Sequence, residues 1–242
     1  MTTHLDRSPH QPRRRPTPSC YPAATRDDPP RVPGLVPITV WRLDDHDDGR
    51  PATEPGSGFA SRLARRLILT YTSLGETVAD LDSDPHVHGA ASATGRSYLA
   101  ITEPAELSGP DQLGPPASLV TLHWPRPTGP STVEAVGVLL TACRPIMSED
   151  ASVIAAVWSS DPAQPNATFA DYEHALRGAA EAAGLTHVLQ IVAISAPGEG
   201  DQFLYYATET EVVHVVTEAA ATRDRQVLHI DLLVFHRKGG SP

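Results

Sequence analysis

The chain has 242 residues and a formal net charge of −10, with 40% of its residues hydrophobic, which allows one sizeable α/β core plus a tail but not a second full domain. No apolar run reaches roughly eighteen residues, and the N-terminus lacks the basic-then-apolar order of a secretory signal, so a soluble, cytoplasmic protein with no membrane contact is expected. Two cysteines, Cys20 and Cys143, exclude a disulfide framework and a cysteine-rich zinc site, and the acidic balance opposes tight non-specific binding to nucleic acid.

Residues 1–36 are dense in Pro, Arg, Ser and Thr without an apolar period and read as a disordered, Pro/Arg-rich tail; up to Gly34 six arginines face three aspartates. The folded domain is expected over 37–238. A short strand is expected at Pro37–Trp41, then an acidic loop over Asp44–Gly58 that contains the run Asp44, Asp45, His46, Asp47 and Asp48. Phe59, Leu63, Leu67 and Ile68 recur at helical spacing with Arg62, Arg65 and Arg66 between them, and Leu74-Gly75-Glu76 is read as the end of that helix. A strand follows at Thr77–Ala79, then a loop and short helix through Gly95, strands at Ser97–Ile101 and Ser118–Leu122, a helix over Val133–Cys143 and a buried strand over Ala151–Trp158. Asn166 or Thr168 can cap a helix whose apolar face is Phe169, Tyr172, Leu176, Ala179 and Ala183, ending at Gly184. Val188–Ile194, Phe203–Ala207 and Val227–Phe235 are the late strands. The last two are read as an antiparallel hairpin at the sheet edge, although 208–225 has room for a helix. Strands alternating with helices predict an α/β fold with a mainly parallel sheet covered on both faces.

In this order the pieces resemble a family, the bacterial DNA methyltransferases that modify the exocyclic amino group of cytosine or adenine. Phe59-x-x-x-Leu63-x-x-Arg66-Leu67-Ile68 with Tyr71-Thr72-Ser73-Leu74-Gly75-Glu76-Thr77-Val78-Ala79-Asp80 is similar to that family's Phe-x-x-x-Leu-x-x-Arg-Leu-Ile and Tyr-Thr-x-Pro-Gly-Asp-x-Val-Leu-Asp. Gly95–Ile101 resembles Gly-Arg-x-Tyr-Val-Gly-Ile, Ala117–Pro127 stands where the family writes Ala-Asp-Leu-Val-Val-Thr-Ser-Pro-Pro-Tyr-Pro, and His229–Phe235 resembles His-Glu-Asp-Leu-Leu-Val-Phe. The resemblance covers 59–236 and implies a class I, Rossmann-like fold of the seven-strand type with an antiparallel edge. It implies S-adenosylmethionine as cofactor, Phe59 beside its adenine, Asp80 at the end of the first strand, and Glu103 as the nearest candidate for the ribose acid, one place late behind Thr102.

The departures fall where that chemistry would lie. The family's Asp-Pro-Phe-x-Gly-x-Gly-Thr, whose glycines let backbone approach the cofactor, is replaced by Asp80-Leu81-Asp82-Ser83-Asp84-Pro85-His86-Val87-His88-Gly89, with both loop glycines lost and Pro85 stiffening the turn. The catalytic tetrapeptide, in which a polar side chain and a proline carbonyl hold the target amino group and an aromatic ring stacks on the flipped base, is replaced by His123, Trp124, Pro125 and Arg126. A re-tooled base pocket using Trp124 and the Arg126 plane is conceivable on this sequence. Asp80, Asp82, Asp84, His86 and His88 alternate, so an extended segment would aim all five at one face and suit a divalent cation; the calcium-loop template fails at Pro85 and Ala91, and no metal is assigned. His229 and Asp231 are expected to shape the sheet edge. Cys143 falls in a helix.

These features lead to a methyltransferase-like pseudoenzyme, a non-catalytic interaction or regulatory protein that takes no cofactor. It would pair with a protein partner such as an intact methyltransferase relative, and would bind DNA weakly or not at all. The alternative is a divergent but active S-adenosylmethionine-dependent DNA amino-methyltransferase. The dominance of arginine over lysine, with abundant Ala and Pro, fits a high-G+C bacterial gene.

Overall fold

The computed structural model describes residues 36–44, 59–107, 115–127, 132–157, 168–196, 200–221 and 229–237. The tail expected over 1–36 lies outside them up to residue 35, as do residues 45–58 of the acidic loop, Cys20, Trp158 and Asn166. Eight strands form one sheet among the described residues: β1 (Ile38–Asp44), β2 (Thr77–Asp80), β3 (Ser97–Ala100), β4 (Ala117–Trp124), β5 (Met147–Val157), β6 (Leu185–Ala196), β7 (Gln202–Leu204) and β8 (His229–Arg237), in the order β3-β2-β4-β5-β8-β6-β1-β7. Neighbouring pairs among β1 to β6 run parallel, while β8 is antiparallel to both β5 and β6, and β7 is antiparallel to β1. The expectation of a mainly parallel α/β sheet therefore holds, with one strand more than the seven-strand type.

Among the described residues five α-helices cover the sheet: α1 (Ser61–Tyr71), α2 (Pro85–Ala93), α3 (Val133–Cys143), α4 (Phe169–Ala182) and α5 (Glu209–Ala221). Leu63, Ala64, Leu67 and Ile68 of α1 and Val87, Ala90 and Ala91 of α2 pack on one face of the sheet, against Trp41, Val78, Leu119, Ile154, Leu232 and Val234. Alternation along each strand sends the neighbouring residues to the other face. There Val120, Leu122, Val153, Ala155, Leu233 and Phe235 meet α3 and α4, and Val40, Val192 and Ile194 meet Val212, Val215, Val216 and Ala219 of α5. Helix starts follow local chemistry. Thr132 caps α3, Thr168 and Asp171 form a reciprocal capping box on α4, and Asp84 caps α2 with Pro85 at its first turn. Gly184, at φ +74°, turns the chain out of α4 into β6.

Three sequence expectations are corrected. The late strands do not form an edge hairpin: β7 lies at the edge beside β1, and α5 separates it from β8, which sits between β5 and β6. The reason is that Leu232–Phe235 is apolar on both faces, which an edge strand cannot bury; His229 and Asp231 accordingly stand at the start of an interior strand rather than on the sheet edge. The α1 helix ends at Tyr71, before Leu74-Gly75-Glu76, which forms a turn. The Asp/His row is not extended, because the helix begins at Pro85 and carries His86 and His88 away from the aspartates; His86 Nδ1 lies 2.7 Å from Ser61 Oγ, and His88 stacks on Tyr98 at 4.5 Å. No helix among the described residues is long and apolar enough to cross a membrane.

One buried imidazole and one half-buried imidazole give the fold a pH dependence. Burial holds His187 and His236 below the ordinary histidine value of 6.5. The unfolded chain then binds more protons than the folded one between the folded value and 6.5, so stability present above about pH 6.5 is lost as pH falls through that window. Burial raises Asp80 and Asp231 from 3.8, which acts in the opposite sense: the stabilisation gained by protonating them in the fold is lost as pH rises through their folded values. The thermal midpoint is expected to fall between pH 8 and pH 5.5, and to fall less in His187→Gln or His236→Gln. A flat midpoint over that range would show that these rings do not titrate in the unfolding reaction.

Candidate functional site

From β2 the chain passes through α2 to β3 on one side, then returns to β4 on the other side of β2. That reversal makes the carboxyl ends of β2 and β4 a topological switch point, where open α/β sheets place their ligand crevice. Both strand ends are buried: Thr77–Asp80 is buried throughout, and Ala117–Trp124 nearly so.

At this point stand Asp80, Asp82, Asp84, Thr121, His123 and Arg126, all buried. Asp80 is the hub of the loop. Its Oδ1 accepts from Asp82 N (3.2 Å) and Thr121 Oγ1 (3.3 Å), and its Oδ2 accepts from Asp84 N (2.6 Å) and Tyr98 Oη (2.8 Å). Burial raises the Asp80 pKa while these donors oppose the rise, and burial together with the Asp80 carboxylate pushes the Tyr98 phenol upward. Asp84 turns one oxygen to His86 N (2.7 Å) at the start of α2 and the other to Phe59 N (2.8 Å). The residue between, Ser83, is held at φ +57° with its side chain exposed. A left-handed backbone costs an L-residue about 1–2 kcal/mol. Ser83→Gly is therefore expected to raise stability by up to about 1 kcal/mol after the entropy cost of glycine, and Ser83→Val to lower it; urea midpoints of the two variants in the opposite order would refute the strain.

Arg126 closes the crevice. Its Nε donates to Asp82 Oδ1 at 2.9 Å, one terminal nitrogen donates to the Leu81 carbonyl, and both terminal nitrogens lie 3.4–3.5 Å from the Thr102 carbonyl. The two charged side chains are 3% and 1% exposed. Asp82 Oδ2 accepts from His123 N at 2.6 Å, so this carboxylate ties the β2 loop to the strand end of β4 and to the arginine at once. The His123 ring lies 4.6 Å from Phe59, with Nδ1 3.3 Å from Asp82 and Nε2 3.4 Å from Asp84, neither in hydrogen-bond geometry.

The residues singled out by sequence thus separate. Phe59, Asp80, His123 and Arg126 converge at the switch point. Trp124 instead packs with α3 and α4 on the opposite face, 4% exposed, so it leaves no ring open to an incoming base; Pro125 follows it through a cis peptide bond. Glu103 is exposed on the turn after β3, and its backbone, with that of Thr102, donates to Glu106, whose carboxylate those N–H groups hold below its usual value. Sequence reasoning puts Asp82 and Asp84 in the replaced loop but misses their bonds to Arg126, His123 and Phe59, and misses Thr121 and Tyr98 as partners of Asp80. The available signals were the Asp84-Pro85 helix start and the isolation of Arg126, which is the single basic residue between Arg96 and Arg144.

No protein-family model matches the chain, and no curated protein is similar to it. Among solved structures it is similar to precorrin-6y C5,15-methyltransferase from Geobacter metallireducens, at 13% identity and a TM-score of 0.43, over 79% of this chain and 95% of that one. It is also similar to a SAM-dependent methyltransferase from Agrobacterium tumefaciens (12%, 0.39, 74% of this chain and 60% of that one) and to TrmN from Thermus thermophilus (11%, 0.40, 76% and 52%). The chain spans little more than half the length of the last two. Any function must be argued from the switch point itself.

Proposed function

We propose that this chain is a methyltransferase-like protein without methyl-transfer activity, descended from the DNA amino-methyltransferases it resembles and acting as an interaction or regulatory protein in the cytoplasm. One observation carries the reading: the Arg126 guanidinium lies against Asp82 and the carbonyls of Leu81 and Thr102, in the crevice where a ligand of this fold would lie. The residues there do not fit S-adenosylmethionine. The acceptors at the ends of β2 and β3 are taken by the chain's own arginine, and the glycine-lined approach is replaced by Asp82, Ser83 and the α2 cap Asp84. The groups that would hold an amino acceptor are also diverted, with Trp124 in the core and Arg126 in the ion pair. An intact methyltransferase relative is the partner this ancestry suggests.

Calorimetric titration with S-adenosylmethionine is expected to give no heat of binding, and tritiated methyl transfer to unmethylated genomic DNA no label above a protein-free blank. Label incorporated by the unaltered protein and abolished by His123→Ala would overturn the reading in favour of a divergent, active DNA methyltransferase.

A further inference from the structure

Leaving the switch point at Phe59, α1 lies beside the edge strand β7 and the two form a seam. Arg62 grips Asp201 Oδ1 through Nε (3.0 Å) and a terminal nitrogen (2.8 Å), and one turn later the Arg66 guanidinium stands 4.2 Å over the Phe203 ring. Four helical residues advance about 6 Å and two strand residues about 6.6 Å, so helix and strand stay in step along the seam. Phe203 meets Trp41 edge-on at 5.8 Å and is followed by Tyr205, stacked at 6.5 Å and 22°. Tyr205 is 54% exposed and Leu69 45%. This exposure is not fraying: Phe203 is paired to Trp41 before it, Tyr206 holds φ +57° after it, and Ala207 N bonds Ile38 O at 2.8 Å. A backbone fixed on both sides, and strained on one, turns the Tyr205 ring outward.

The charge of the seam opposes that of the molecule. The α1 helix carries Arg62, Arg65 and Arg66 and no carboxylate, on a chain of net charge −10. Tyrosine and arginine around an aliphatic contact are the residues that anchor protein interfaces. We infer that the α1–β7 seam, with Arg65, Leu69 and Tyr205 at its surface, is a docking site for an acidic protein segment that carries an aromatic or aliphatic anchor. This inference rests on the reading of the chain as an interaction protein and names the chemistry of its partner. A nucleic acid fits less well: with Arg62 and Arg66 engaged by Asp201 and Phe203, the exposed Arg65 is left to meet a carboxylate of a short acidic segment, whereas polyanion affinity grows with the number of phosphates neutralised and the acidic body repels a polyanion.

The probes are a fluorescein-labelled peptide alternating Glu with Leu and Phe, the same peptide with Lys for Glu, and labelled oligo(dT), each titrated into the full chain by anisotropy. The Glu peptide is expected to bind, with backbone amide NMR shifts at 62–70 and 202–206, and Arg65→Glu or Tyr205→Ala is expected to weaken it about tenfold or more. Both positions are exposed, so the thermal midpoint of either variant should stay unchanged. Three results would overturn the inference: no binding of the Glu peptide, equal binding of the Lys peptide or tighter binding of oligo(dT), and peptide binding that survives both substitutions. Failure of the non-catalytic reading is seen separately, since methyl transfer by a protein that also takes the Glu peptide on this seam would refute that reading alone.

Discussion

Arg126→Met is expected to lower the unfolding free energy by about 3–5 kcal/mol, because it strands the Asp82 carboxylate in the interior without its counter-charge. Asp82 is 1% exposed and its second oxygen is already committed to His123 N, so it cannot turn to solvent. The Leu81 and Thr102 carbonyls lose their donor in the same step. A domain of ordinary stability holds only about 5–15 kcal/mol, so the variant should be folded but marginal. The companion substitution Asp82→Asn removes the stranded charge while keeping an oxygen for His123 N. The Arg126→Met/Asp82→Asn double variant is therefore expected to be more stable than Arg126→Met alone, with a coupling above about 1 kcal/mol in a urea double-mutant cycle. Additive single losses would mean that the two side chains do not share one buried interaction, and the crevice would lose its plug.

Asp80→Asn is expected to cost about 2–3 kcal/mol despite being nearly isosteric. Each carboxylate oxygen of Asp80 accepts a backbone N–H, from Asp82 on one side and Asp84 on the other, and an amide has only one oxygen to offer. Whichever way the Asn is turned, its NH2 group faces a buried N–H, and a buried donor left unpaired costs about 1–3 kcal/mol. Thr121 and Tyr98 can rotate their hydroxyls, but the two main-chain donors cannot. Relief of the desolvation that raises Asp80 offsets part of the loss, which places the effect below that of Arg126→Met. Equal urea midpoints for Asp80→Asn and the unaltered protein would show that the loop is not held by this carboxylate.

Much of the architecture is legible in the residue pattern because it follows from local rules. The residue pattern places α3 at Val133–Cys143, capping chemistry leaves Asn166 or Thr168 as the start of α4, of which the structure uses Thr168, and a continuous apolar run marks β5 as a buried strand. The family resemblance, and not the local pattern, points to Asp80 as the end of β2. Local rules stop where partners are distant. The strands near 203 and 229 are close in sequence and look like a hairpin, yet β8 crosses to the middle of the sheet because only there are both of its apolar faces covered. The Asp/His alternation reads as one face of an extended segment, and the cap at Asp84 with Pro85 behind it makes that segment a turn and a helix instead.

By itself, then, the sequence determined the alternation of strands and helices, the start of α3, and the absence of glycine over 81–88 and of an aromatic ring at Arg126, since each of these is written in neighbouring residues. Only the tertiary structure decided how those positions are used. Asp82 and Arg126 are 44 residues apart, and Arg62 and Asp201 are 139 apart; nothing in the spacing of either pair announces a contact. Their meeting depends on the parallel crossover that sets β2 beside β4 and on the packing of α1 along β7. An ion pair forms only when two chain segments are delivered to within a few ångströms and water is excluded around them, and that condition belongs to the assembled sheet and not to any stretch of sequence.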